Sequence, residues 1–186
     1  MSGEVAVKQV VCEFKIDEQG RVVLVKPSSE VSWFLERGYG EVDKTGVLVL
    51  SPVEALYLFE AGKIRVEKGE GDAYTFEELV DIFSRRSPTF WRDFVIYRDL
   101  RKRRYVVKEG FSNDLRFRLF ERGDYGEKPA KYVVIPIQEG REMSIDQLLK
   151  LIRTCRSMNK EPIIAVVDRR NEIVYYSASQ VELRNV

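Results

Sequence analysis

Histidine is absent from all 186 residues. That gap removes Ser-His and Cys-His nucleophile pairs, imidazole metal sites and an imidazole proton shuttle. Chemistry in this chain must use Lys, Tyr, Asp, Glu or Ser. The two cysteines, Cys12 and Cys155, are far apart in sequence and fit neither a disulfide framework nor a zinc site. They are expected to be reduced, partly buried thiols, and neither metal nor cofactor is expected.

The densest charge lies between Arg98 and Lys108. Arg98, Arg101, Lys102, Arg103, Arg104 and Lys108 stand against Asp99 alone, six positive minus one negative, or +5, in a chain whose net charge is only +1. Such a cluster suits RNA phosphates, whose neutralisation dominates nucleic-acid affinity. It equally suits a solvated helix end that complements the macrodipole.

The elements that carry these residues read as follows. Val5 to Val11 and Arg21 to Val25 flank Asp17-Glu18-Gln19-Gly20, a hairpin signal. Ser29 to Gly38 can form one short helix, Gly38 to Gly46 a loop, and Val47 to Leu50 an apolar strand. Ser51, Pro52 and Glu54 make an N-cap, a first-turn proline and a capping box, and Gly62 closes that helix. Lys63 to Glu67 reads as a strand. Thr75 and Glu78 open a second boxed helix that ends near Arg86, where Pro88 stops it.

Thr89 is expected to cap a third helix, Phe90 to about Arg103, with Phe90, Phe94 and Tyr97 as its buried stripe. Strands follow at Tyr105 to Lys108, Arg116 to Phe120 and Lys131 to Ile137. Ser144 and Gln147 open a fourth main helix, with Ile145, Leu148, Leu149, Ile152 and Cys155 facing inward and Met158 near its end. Ile163 to Val167 is wholly apolar, as a central strand would be, and Ile173 to Tyr176 returns beside it. The fold class is α/β (α+β), in two small domains, 1–87 and 88–186. The second has a mixed sheet flanked by two helices. With no apolar run of membrane-spanning length and no signal-peptide pattern, a cytoplasmic location is expected.

Several blocks then point one way. YRDLRKRRYVVKEGF, RFRLFERG, PAKYVV and EPIIAVVDRRNEIVYY occur in order. They resemble YxDLRxRGYxVKxGFKFG, DFRVYxRG, HSxYLV and KLLLAVVDEEGDVTYY of the archaeal tRNA-splicing endonucleases. SPVEALYLFEAGKIRV resembles that family's N-terminal domain, and the resemblance spans roughly residues 45 to 178. It implies cleavage of precursor tRNA at bulge-helix-bulge motifs. The 2′-hydroxyl attacks its own phosphodiester, giving a 2′,3′-cyclic phosphate and a 5′-hydroxyl. The reaction needs a base, an acid and a cation, which a tyrosine, a histidine and a lysine supply in the family.

Carried over singly, the tyrosine falls on Phe120 and the histidine on Pro129, neither of which can move a proton. The lysine falls on Lys160 and is kept. The resemblance therefore implies a non-catalytic structural subunit of the heterotetrameric crenarchaeal type, two copies with two copies of a catalytic paralogue. Arg153 falls where the family holds an arginine that stacks on a bulge base. Arg153, Lys160, Arg101, Arg103 and Arg104 are the expected RNA contacts. Asp168, Arg169, Glu172, Tyr175 and Tyr176 are the expected subunit interface, with the tail Val181 to Arg184 as a strand edge for pairing across subunits. The family's acidic turn is here Asp168-Arg169-Arg170-Asn171-Glu172, which sums to zero and makes a poor plug for a partner's basic cleft. The basic helix end is a candidate for the receiving cleft. Where the family has glycine, this chain has Arg104, so a changed helix end is expected. Two further readings stay open: a standalone nuclease built from Tyr125, Lys160 and Arg153, and an RNA-binding module outside splicing.

Overall fold

The computed structural model describes residues 12–26, 29–69 and 71–178. The chain divides into two compact units, with the break between Pro88 and Thr89. Five helices and two mixed sheets make an α+β architecture among the described residues.

In the first unit, β1 (Cys12–Ile16) and β2 (Val22–Leu24) form an antiparallel hairpin around Asp17 to Gly20. The expected strand Val5 to Val11 lies outside the described residues. The helix expected over Ser29 to Gly38 is shorter, α1 (Val31–Glu36), and the loop after it contains the two-residue strand β3 (Glu41–Val42). β4 (Leu48–Leu50), α2 (Pro52–Glu60), β5 (Ile64–Gly69), β6 (Asp72–Ala73) and α3 (Phe76–Arg86) complete the unit. The sheet runs β3-β4-β2-β1-β5-β6, with β1 and β5 parallel. Both capping boxes form. Ser51 and Thr75 accept from the backbone amides of Glu54 and Glu78, whose carboxylates accept from the cap amides in return. Buried Glu54 also accepts from Gly40 N at 3.2 Å, tying the helix start to the preceding loop. Gly62 takes the left-handed φ of 65° that closes α2. Phe14, Val22, Leu48, Leu56, Val66, Leu79 and Phe83 form the core.

The second unit starts with α4 (Phe90–Lys102) and continues through β7 (Val106–Glu109), β8 (Phe117–Phe120), β9 (Tyr132–Gln138), α5 (Ile145–Ser157), β10 (Glu161–Val167) and β11 (Ile173–Ser177). Its sheet order is β11-β10-β9-β8-β7. β9 and β10 are parallel, and the other neighbours are antiparallel. β10 is interior but second from the edge, and its Ile163, Ile164 and Val166 are only half-buried. Successive side chains of a strand point to opposite faces. On one face Val133 and Ile135 meet Leu115 and the α5 stripe of Leu148, Leu151, Ile152, Cys155 and Met158.

Three local expectations are corrected. Ile145 is 77% exposed, because it occupies the first helical position, one turn ahead of the stripe that meets the sheet. Leu151, rather than the expected Leu149, stands in that stripe, and Leu149 lines a groove with Asp146, Arg153 and Ser157. Thr89 does not cap α4 through an amide. Its hydroxyl donates to Asp93 Oδ2 at 3.2 Å instead. Asp93 is buried and also receives Arg92 at 2.7 Å and Arg116 at 2.9 Å, so one carboxylate joins the start of α4 to the start of β8.

Candidate functional site

Topology brings the three positions of interest to one end of the second sheet. β8 runs antiparallel to β9 and β10 runs parallel to β9, so the end of β8 lies at the same end of the sheet as the starts of β9 and β10, with β9 between them. Leu119 pairs with Tyr132, and Tyr132 pairs with Glu161. Phe120 therefore directly follows this row, Lys160 directly precedes it, and Pro129 stands three residues ahead of it in an exposed stretch.

Lys160 is held by the end of α5. Asn159 adopts φ 55°, its amide donates to Arg156 O at 2.9 Å, and the Lys160 amide donates to Cys155 O at 2.9 Å. This is the paired closure that satisfies the last carbonyls of a helix. The next amide, of Glu161, donates to Lys131 O at 2.9 Å. Helix end and strand start together fix the Lys160 backbone. Phe120 is half-buried, and the ring of Tyr125, brought back by the turns after Glu121, meets it at 5.1 Å.

Three titratable groups that sequence reasoning missed stand at the same sheet end. Tyr132 donates its hydroxyl proton to Glu121 Oε1 at 2.9 Å, and Lys131 Nζ reaches that oxygen at 3.1 Å. The hydrogen bonds from Lys131 and then Tyr132 hold the Glu121 carboxyl below its ordinary range. Lys131 is pushed upward by Tyr132 and Glu121. On the Tyr132 phenol the lysine pulls downward, but Glu121 and burial outweigh it and the net movement is upward. A phenol already donating to a carboxylate is a poor base, so the cluster holds structure rather than moving protons. Its only sequence signal was the pairing of β8 with β9.

The basic run does not stay together. Arg101 donates to Tyr105 O at 3.4 Å. Arg103 pairs with Asp99 at 2.7 Å and lies over the Tyr175 ring at 5.5 Å, and Asp99 raises its affinity for its proton. Lys108 is buried. Arg104 is exposed and takes φ 70°, with its amide on Arg101 O and the Tyr105 amide on Leu100 O. The left-handed closure that glycine favours is kept, so the expected change at this helix end is corrected. Arg153 is exposed on α5 and lines a shallow groove with Lys150, Thr154 and Ser157.

Of the expected interface residues, Tyr175 turns inward. Its hydroxyl donates to Asp99 at 2.9 Å, and burial followed by that carboxylate pushes the phenol well above its usual value. Tyr176 points the other way and is 52% exposed. Asp168 is half-buried and accepts from the amides of Arg170 and Glu172, each at 2.8 Å, while Arg169 and Glu172 are exposed. Val181 to Arg184 lie outside the described residues. Among the described residues no group of three or more His, Cys, Asp and Glu could hold a metal ion, and no helix is long and apolar enough to cross a membrane.

The chain thus comprises a unit with a six-stranded sheet and a unit with a five-stranded sheet, the second holding the Lys160 backbone at its sheet end. Residues 15–80 match the tRNA intron endonuclease N-terminal domain, and residues 90–175 match the tRNA intron endonuclease catalytic C-terminal domain. The tRNA-splicing endonuclease of Methanopyrus kandleri is 40% identical over 134 residues, covering 72% of this chain and 74% of that protein. That of Thermococcus onnurineus is 34% identical over 146 residues, covering 78% and 83%. That of Methanococcus vannielii is 31% identical over 161 residues, covering 87% and 90%. The chain belongs to the tRNA intron endonuclease family.

Proposed function

We propose that this chain is the structural subunit of a heterotetrameric tRNA-splicing endonuclease, two copies assembled with two copies of a catalytic, histidine-bearing paralogue. It orients the paralogue's site and helps hold precursor tRNA at bulge-helix-bulge motifs. The paralogue makes the 2′,3′-cyclic phosphate and the 5′-hydroxyl. The working location is the cytoplasm. One observation carries the reading: the sheet end that keeps Lys160 offers Phe120 and Pro129 beside it, and neither side chain can take or give a proton. A lone cation stabilises a phosphorane but leaves the hydroxyl unactivated and the leaving oxygen unprotonated. Arg153 and Lys160 serve as RNA contacts, and Tyr176 with the exposed turn residues Arg169 and Glu172 serves the subunit contact.

The test is cleavage of a precursor tRNA by the purified chain, by the paralogue and by the mixture. Only the mixture, or the paralogue within it, should cut. Cleavage by the chain alone would sink the proposal. The contact of Tyr125 with Phe120 supports a second reading, a standalone nuclease using Tyr125, Lys160 and Arg153. That reading requires activity in the isolated chain which Lys160→Ala abolishes.

A further inference from the structure

The turn between β7 and β8 raises a large aromatic ring into solvent. Phe111 is 51% exposed, yet the turn that carries it is tightly fixed. Gly110 N donates to Arg116 O at 2.7 Å, Phe111 N to Leu115 O at 2.9 Å, and Leu115 N to Ser112 Oγ at 3.1 Å. Gly110 lies so close to the returning chain that a Cβ there would stand 1.8 Å from Leu115 O. Leu115 itself is buried in the cluster that Val133 and Ile135 form with α5. A single exposed apolar residue needs no explanation. This one is set apart by its neighbours.

Arg118 lies over the Phe111 ring, its guanidinium carbon 5.6 Å from the centroid, within cation–π range. Its Nε donates to a backbone carbonyl, Glu109 O at 2.8 Å, and among the described residues it pairs with no carboxylate. Arg116, two residues back, is by contrast tied to Asp93 and Glu109. Side chains two apart on a strand share a face, so Arg118 and Phe120 stand on one side of β8. Phe117 and Leu119 are buried on the other side, where Phe117 meets Tyr97 of α4 at 5.9 Å. Phe120, with the Tyr125 ring against it, ends β8 at the sheet end that keeps Lys160. Ring, cation and ring thus follow one another along one strand face, from the open turn to the candidate site.

We propose that Phe111 and Arg118 form a stacking platform for an unpaired RNA base, with Phe111 holding the base and Arg118 the adjoining phosphate. The inference deepens the reading of the chain as a precursor-tRNA-handling subunit and rests on it. Every base has a π face, so an aromatic ring accepts any unpaired base, with a gain of about tenfold in affinity. The Nη groups of Arg118 remain to meet phosphate oxygens as a fork. A turn fixed by its own hydrogen bonds loses little freedom when the base arrives. The surroundings favour RNA over an apolar protein segment. One ring, followed by exposed Ser112, Asn113 and Asp114, is a small fraction of the apolar surface that a protein interface buries.

The test uses the full-length chain and two labelled RNAs of equal length, one containing a bulge-helix-bulge and one a continuous duplex, titrated across a salt series. The unaltered chain should bind the bulged RNA more tightly. Phe111→Leu keeps apolar bulk and removes the π face. It should weaken binding of the bulged RNA about tenfold, spare the duplex, and leave the slope of log affinity against log salt as it was. Phe111→Tyr keeps the ring and should bind as the unaltered chain does. Arg118→Gln should lower the slope by about one. Val42→Ala trims another exposed apolar side chain, in the first unit, and should change nothing. Full affinity for the bulged RNA in Phe111→Leu, an equal loss on the duplex or in Val42→Ala, or no preference for bulged RNA in the unaltered chain would each overturn the assignment. So would a Phe111→Leu chain that binds RNA normally but no longer assembles with the paralogue, which would give the ring to a protein partner. Failure of the subunit reading has a different signature: no mixture with the paralogue cuts better than the paralogue alone, whichever RNA the chain prefers.

Discussion

The rings of Tyr125 and Phe120 meet edge-on, with centroids 5.1 Å apart and planes at 89°. The contact packs Tyr125 against the last residue of β8 and gives its ring a packing role. Edge-to-face pairs contribute about 0.5–1.5 kcal/mol beyond the area they bury. Tyr125→Phe keeps the ring and removes only the hydroxyl. Cleavage by the mixture with the paralogue should be unchanged, and thermal stability should stay within a degree or so. Tyr125→Ala should cost about 1 kcal/mol in denaturant unfolding. A large loss of cleavage in Tyr125→Phe, at unchanged stability, would transfer the chemistry to this phenol.

Arg104 occupies a left-handed position at φ 70° where no side chain is favoured. The closure of α4 onto Leu100 O and Arg101 O holds it there. An L-residue in this region costs roughly 1–2 kcal/mol, a cost glycine avoids. Arg104→Gly should therefore stabilise the second unit by about 1 kcal/mol and raise its melting temperature by about 4–8 °C. A drop in melting temperature would mean that the arginine makes a compensating contact.

Much of this fold was legible before the structure. Ser51, Thr75 and Ser144, each followed three residues later by Glu or Gln, announce their helices, and all three boxes form. Local chemistry decides those ends, so sequence suffices. Ile145 was misread because spacing alone places it on the α5 stripe, whereas the sheet meets the helix only from the next turn. The split of the basic run was only partly legible. Arg103 pairs with Asp99 four residues back, a spacing visible in the sequence, but the Tyr175 hydroxyl that shares that carboxylate arrives from β11, and a contact across 76 residues leaves no mark on local pattern. Glu121, Lys131 and Tyr132 became a cluster only through the register of β8 on β9.

Asp93 is a heavily used carboxylate of the second unit. It is buried, one oxygen receives Arg92, and the other receives Arg116 and the Thr89 hydroxyl. Removing one partner of a buried ion pair leaves the other charge uncompensated, at a cost of about 3–5 kcal/mol. Asp93→Ala should approach that loss in urea unfolding followed by Trp91 fluorescence in a Trp33→Phe background. Arg116→Ala should cost clearly less, since Arg92 still neutralises the carboxylate. Equal, small effects from both changes would mean that water replaces these partners readily.

The Glu121 carboxyl has a definite pH signature. Hydrogen bonds from Lys131 and Tyr132 place it below the ordinary glutamate value of 4.5. A depressed carboxylate binds its proton more weakly in the folded chain than in the unfolded one, so its contribution is complete above the unfolded value. That contribution is lost as pH falls through the folded value, in the window from about pH 4.5 downward. The group is open to solvent, so the effect should be small and should shrink with added salt. The Glu121 side-chain carboxyl, followed by NMR, should titrate below the ordinary glutamate value of 4.5. Glu121→Gln should flatten stability against pH in that window. A Glu121 midpoint at or above that ordinary value would show that the Lys131 and Tyr132 hydrogen bonds do not persist in solution.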